Sequence, residues 1–247
     1  ASLLRDPGSL WVAFEDFTLS TYVEVLSPQE AGGQGFLTFL ANSALVSIAS
    51  VLIALLIAIP GSYAIARLPF WGHRQVNALF IATYLFPAIV IAIPLFVLFT
   101  RLGLRGSLVG LILVYTAQTV PVAIYMMRNY FETVPVSVEE AGLVDGLSRV
   151  GVLRRISLRL AAPSIMATGL FVFMIAWNEF LFALLFLVDK RDQWTVSLGL
   201  ARLSGSIEVP TTVLMAGSVV LTLPIIILFF ATERLLTGGL TAGAEKG

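Results

Sequence analysis

Residues 36–66 read FLTFLANSALVSIASVLIALLIAIPGSYAIA and contain no charged side chain. About 20 apolar residues in helical form cross a bilayer core of about 30 Å. The run is therefore long enough to span a membrane, with length left for tilt or for a protruding end. Composition supports the same reading: 58% of the 247 residues are hydrophobic and only 12% are charged, with a mean hydropathy of +0.94. Soluble domains average roughly 45–50% apolar and about 25% charged. A water-soluble enzyme and a disordered chain are both excluded on that basis.

Four further stretches have span-like composition: about Ala78–Thr100, interrupted by Pro87 and Pro94; Ser107–Met127; Ser164–Val188; and Thr211–Thr232, with Pro224 inside. Prolines within spans are tolerated where neighbouring helices satisfy the freed backbone groups. The expected class is an all-α polytopic membrane protein with five spans. The opening segment, 1–35, contains no span and is rich in acids (Asp6, Glu15, Asp16, Glu24, Glu30) with one base, Arg5. It lacks the charged-then-apolar order of a signal peptide, and one more helix is expected upstream of residue 1.

Basic residues set the orientation. With 1–35 outside, the inner pieces carry Arg67, Arg74, Arg128, Arg149, Arg154, Arg155, Arg159, Arg234 and Lys246. The outer pieces carry fewer: Arg5, Arg101, Arg105, Lys190, Arg191 and Arg202. The expected layout is an extracytoplasmic segment 1–35, a transmembrane domain 36–234 holding a cytoplasmic loop 128–163, and a cytoplasmic tail 235–247. Formal charge is balanced at 15 basic and 15 acidic residues, so no basic field exists to hold nucleic acid. No cysteine is present and His73 is the single histidine, which leaves no metal site of the thiolate or multi-histidine kind.

The 128–163 loop reads RNYFETVPVSVEEAGLVDGLSRVGVLRRISLRLAAP. Ser137 followed by Glu140 fits a capping box, predicting a short helix from Ser137. Gly146 can take positive φ and end it. Ser148 can cap a second helix, on which Val150, Leu153, Ile156 and Leu160 form an apolar stripe, and Pro163 marks entry to the next span. On periodicity alone this could be a basic helix lying along the inner leaflet, though the acidic first helix fits that poorly.

Glu140-Ala141-Gly142, Asp145-Gly146, Leu153, Ile156 and Pro163 resemble the EAA loop of ATP-binding-cassette (ABC) importer permeases, whose pattern runs EAA-x2-DGA-x5-F-x2-I-x-LP-x3-P. The chain departs from it at Gly142 (for Ala), Leu147 (for Ala), Leu153 (for Phe) and Arg159 (for Pro). FTLSTYVEVL, LANSALVS, ARLPFWG, AWNEFLFALLFL and the terminal GLTAGAEKG also resemble the carbohydrate-uptake permeases, more narrowly the second, six-helix subunit of maltose-type importers. The resemblance implies the type I ABC importer permease fold in the bacterial inner membrane. It also implies a non-catalytic subunit that pairs with a second permease, an ATPase dimer and an extracytoplasmic solute-binding protein. ATP and magnesium then belong to the ATPase, and this chain binds no cofactor. By position, Glu140 would meet a basic group in an ATPase cleft, and Ala141 and Gly142 would allow close approach. Asp145 and Gly146 would form the turn, while Leu153 and Ile156 would pack the second helix against the body. Asp145 has an alternative role as a cap for the helix starting near Ser148.

The solute path has weaker signals. Glu179 is the acid inside a predicted span, where ionisable groups face a cavity or a partner. With Asn178 and Trp177 it offers hydroxyl-binding groups beside an aromatic plane, as a sugar requires. A helix–helix hydrogen bond is the alternative, and Asn42 carries the same ambiguity. Tyr84, Tyr115 and Gln118 are further pathway residues unless they belong to an aromatic belt. A di- or oligosaccharide is the expected solute, with polyols and glycerophosphate-type solutes next. No H-E-x-x-H, G-x-S-x-G or P-loop motif occurs. An ion-coupled secondary transporter is the competing class, but one intramembrane acid and no evident repeat argue against it.

Overall fold

The computed structural model describes residues 19–69, 72, 75, 87–205 and 209–244, with side chains through residue 233. The helices are α1 (Ser20–Leu26), α2 (Phe36–Arg67), α3 (Ala88–Arg101), α4 (Leu108–Thr133), α5 (Val136–Val144), α6 (Arg149–Leu160), α7 (Ala162–Asn178), α8 (Leu181–Leu187), α9 (Val196–Ser204) and α10 (Thr211–Ala244). Among the described residues there is no strand. At 1.5 Å per residue, α2 is about 48 Å long, well beyond the apolar core of a bilayer. The fold is the all-α membrane architecture expected from the sequence.

The described residues show where the expected spans are regular and where they break. Three helices are long and apolar enough to cross a membrane among the described residues: α2, α4 and the Thr211–Glu233 part of α10. A fourth exists if α6 and α7, bent by 76° at Ala161, count as one broken span. The expected Ser164–Val188 span is broken at Glu179 and Phe180, where φ of Phe180 is −123°. Only the α3 part of the second span is described, and Arg5, Asp6, Glu15, Asp16, His73, Arg74 and Tyr84 lie outside the described residues. Helix α4 runs six residues past Met127, to Thr133. The backbone of α10 stays helical to Ala244, through most of the expected tail.

The chain forms two compact units, and α2, α3, α4, α7 and α10 each contribute to both. In the first (residues 1–47, 92–112 and 176–228), Phe99 stacks on Phe186 at 5.2 Å between ring centroids. The connection from α8 to α9 is fastened there to α2. The Asn42 amide donates to the carbonyls of Asp192 (2.8 Å) and Trp194 (3.0 Å), and Ser43 Oγ accepts from the Val196 N–H at 2.8 Å. In the second unit (residues 48–91, 113–175 and 229–247), Ala54 and Ala58 of α2 pack on Ala123 and Ile124 of α4 and Val172 of α7. Towards Arg67 the packing continues with Tyr63, Met127, Phe131 and Ala161, Tyr63 meeting Phe131 edge-on at 5.5 Å. Small residues let these helices approach closely, which is the main source of helix association where lipid supplies no hydrophobic drive.

Candidate functional site

The hairpin of α5 and α6 belongs wholly to the second unit. Pro135 precedes α5 with φ −61° and supplies its N-cap position without a side-chain cap. The helix therefore starts at Val136, and the expected Ser137–Glu140 capping box does not form. Its other end matches the sequence reading. Gly146 has φ +85°, its N–H reaches the Leu143 carbonyl at 3.0 Å, and the Leu147 N–H reaches that of Gly142 at 3.0 Å. This pair of bonds is a Schellman motif, which depends on a residue that accepts left-handed geometry. Asp145 is the exposed C-cap of α5. The cap of α6 is Ser148, whose Oγ accepts from the Gly151 N–H at 3.2 Å.

The buried face of α6 differs from the expected stripe. Val150 and Leu160 are exposed, Leu153 and Ile156 are half-buried, and the fully buried positions are Val152 and Ser157. The reason is a π-helical turn over Leu153–Ser157. Its wider i→i+5 repeat brings two residues five apart onto one face, where a 3.6-residue period would separate them. Gly142 is fitted to this surface: a Cβ there would stand 2.5 Å from Ile156 Cδ1. Pro163 lies in the first turn of α7, where its missing N–H costs nothing.

Consecutive carboxylates on α5 have different surroundings. Glu140 is exposed, on a stripe with Val136 and Val144, the latter 87% exposed, and beside Leu143 and Ala141. Glu139 is 5% exposed and turned inward. Its Oε2 accepts from Arg67 Nε at 3.0 Å and from the Tyr63 hydroxyl at 3.3 Å, and its Oε1 accepts from Ser157 Oγ at 2.9 Å. A second Arg67 nitrogen donates to the Val134 carbonyl at 2.7 Å. The sequence reading passed over Glu139, Tyr63 and Ser157, and used Arg67 only as an inner-side base. A signal existed: successive helical residues are about 100° apart, so Glu139 cannot share Glu140's outlook, and Tyr63 and Arg67 stand at i, i+4 on one face of α2.

Of the solute-path residues, Asn42, Trp177, Asn178 and Glu179 fall in the first unit and Tyr115 and Gln118 in the second. Trp177 is 2% exposed and its indole N–H donates to the Leu221 carbonyl at 3.0 Å, so it presents no open aromatic plane. Glu179 occupies the break between α7 and α8. Its carboxylate accepts from the N–H groups of Phe182 (3.0 and 3.2 Å) and Ala183 (3.3 Å), so it caps the start of α8, a role the sequence reading did not consider. Asn178 is exposed at the same break. Asn42 is engaged with the 192–194 backbone, as described above. Of the other candidates, Tyr115 is buried and Gln118 half-buried.

Comparison with known proteins identifies the family. Residues 50–238 match the family described as "Binding-protein-dependent transport system inner membrane component". The chain is 36% identical to the inner membrane ABC transporter permease protein YcjP of Escherichia coli (strain K12), over 94% of this chain and 82% of that one. It is 35% identical to the trehalose/maltose transport system permease protein MalG of Thermococcus litoralis, over 100% of this chain and 88% of that one. Among solved structures, a bacterial ABC transporter involved in the import of the acidic polysaccharide alginate superposes with a TM-score of 0.74. That match covers 94% of this chain and 86% of the other at 22% identity, and it supports the fold. Nothing in these matches favours an ion-coupled secondary transporter. The chain is a multi-pass inner membrane protein, and it belongs to the binding-protein-dependent transport system inner membrane components, the permease subunits of ABC importers.

Proposed function

We propose that this permease is one of two that line the path of an ATP-driven sugar importer, and that α5 receives the motion of a cytoplasmic ATPase. The observation that carries the reading is the division of α5 into two faces. Outward, Glu140 stands among exposed Val136, Leu143 and Val144, a carboxylate in an apolar patch, suited to a cleft with one basic group. Inward, Glu139 and Gly142 bind the helix to its own chain. A surface helix with no partner would gain nothing from exposing three large apolar side chains around an acid. The bend at Ala161 joins α6 to α7, so displacement of the hairpin passes into a helix that leads to the break at Glu179.

The loop faces the cytoplasm in this reading, following the distribution of arginines. ATP and magnesium are held by the ATPase, which carries out the hydrolysis, and an external binding protein delivers the solute. The solute is a di- or oligosaccharide, supported by relatives whose names specify trehalose and maltose. Asn178 is the path candidate exposed at the helix break, while Trp177 and Asn42 act as supports. Purification in mild detergent tests the reading. An ATPase should co-purify, and its hydrolysis should rise with a binding protein and sugar. A chain that purifies alone and moves solute down an ion gradient would overturn it.

A further inference from the structure

We propose that Glu139 and Arg67 form a latch that joins the α5–α6 hairpin to the end of α2, so that a push on the Glu140 face moves α2 as well as α7. This rests on the coupling reading above. The hairpin is covalently continuous with α4 and α7, whereas Glu139 and Arg67 are 72 positions apart in sequence. The α2 connection depends on side chains. Tyr63 and Arg67, one turn apart, both donate to Oε2 of Glu139, and the remaining oxygen is taken by Ser157 on the π turn. Arg67 also holds the Val134 carbonyl at the entrance to α5. One arginine thus grips the connection before the helix and the inward face of the helix itself.

The chemistry favours positioning over plain stability. A buried ion pair is poor at stabilising a fold compared with well-packed apolar residues of the same size. It does fix geometry, because the planar guanidinium and a fully used carboxylate accept few arrangements. A bistable element that must pass on rigid-body motion requires that property. Glu139 and Arg67 are therefore positioning residues, acting through Glu140 on one side and α2 on the other.

The absence of cysteine permits a direct test. Spin labels at Leu68→Cys and Val150→Cys, exposed positions at the end of α2 and on α6 away from the Glu140 face, report its width in the assembled complex, whose partner subunits are made cysteine-free. The probes are a non-hydrolysable ATP analogue and, in proteoliposomes, solute transported per ATP hydrolysed. The latch predicts one narrow distance distribution, unchanged by nucleotide. In Glu139→Gln the distribution should broaden, and solute per ATP should fall roughly 2- to 30-fold, the span of effects seen for residues along a coupling network, while the ATPase stays bound. The double variant Arg67→Met/Glu139→Gln removes both charges and guards against simple misfolding; it should assemble and remain uncoupled. A narrow distribution with normal solute per ATP in either variant overturns the latch. So does a wild-type distance that changes with nucleotide. Glu140→Lys run alongside separates the two proposals: if it uncouples transport while Glu139→Gln does not, only the latch falls. Normal coupling in Glu140→Lys would remove the coupling reading and the latch with it.

Discussion

Replacing Glu139 by alanine should be among the most damaging single changes in the hairpin, and the structure gives the size of the effect. The Arg67 and Glu139 side chains are 8% and 6% exposed, so solvent cannot take over the lost contact. The change strands the guanidinium with only the Val134 carbonyl, and it removes the shared acceptor of Tyr63 and Ser157. Breaking one side of a buried pair costs about 3–5 kcal/mol. At about 2–4 °C per kcal/mol for a chain of this size, the melting temperature should fall by roughly 6–20 °C. Arg67→Met/Glu139→Ala should be milder than the sum of its parts, with an interaction energy of about 1–3 kcal/mol. The assay is thermal unfolding of the four members of this cycle in detergent, at low and high salt. Salt should hardly matter, since buried pairs are screened little. A Glu139→Ala chain melting within about 2 °C of wild type, with additive effects in the cycle, would refute the reasoning, because about 3 kcal/mol cannot vanish into so small a shift.

Other consequences are smaller and separable. Arg128→Ala breaks an i,i+4 pair with a half-exposed Glu132 and should cost at most about 0.5 kcal/mol, read as a melting shift near the detection limit. Gly146→Val forces a β-branched residue to φ +85° and should lose about 1–2 kcal/mol, with faster hydrogen exchange across Leu143–Leu147. Asn42→Ala removes two donors from the 192–194 backbone; it should cost about 1–3 kcal/mol and raise protease sensitivity in that connection. Glu179→Gln should keep the acceptor for the Phe182 and Ala183 N–H groups, while Glu179→Ala should lose about 1 kcal/mol of capping. Equal loss of solute affinity in both variants, with assembly intact, would instead make Glu179 a path residue.

Much of the fold could be read from hydropathy because lipid imposes a single rule, that a span be apolar and about 20 residues long. Hence α2 begins at Phe36 and ends within one residue of the expected Ala66. Hydropathy cannot register a break, and the run from Ser164 to Val188 is apolar apart from Ser164, Thr168, Asn178 and Glu179, the break falling at the last of these. The turn at Gly146 and the cap at Ser148 were legible because each depends on one residue's local chemistry. The start of α5 was not, since Pro135 set the boundary and left Ser137 two positions too deep to cap. The apolar stripe on α6 was misplaced because its spacing assumed 3.6 residues per turn, while the π turn over Leu153–Ser157 shifts the register. Glu139 escaped notice for another reason: its meaning lies in Tyr63 and Arg67, a contact of over 70 positions that no local pattern announces.

The central claim is that Glu140 couples this permease to an ATPase. It is tested most directly by measuring, in reconstituted vesicles, sugar taken up and ATP hydrolysed by the wild-type complex and by Glu140→Lys. The account predicts that Glu140→Lys folds and inserts normally, because the side chain is exposed, yet loses uptake through failed ATPase docking or uncoupled hydrolysis. Uptake at the wild-type rate per ATP would contradict it.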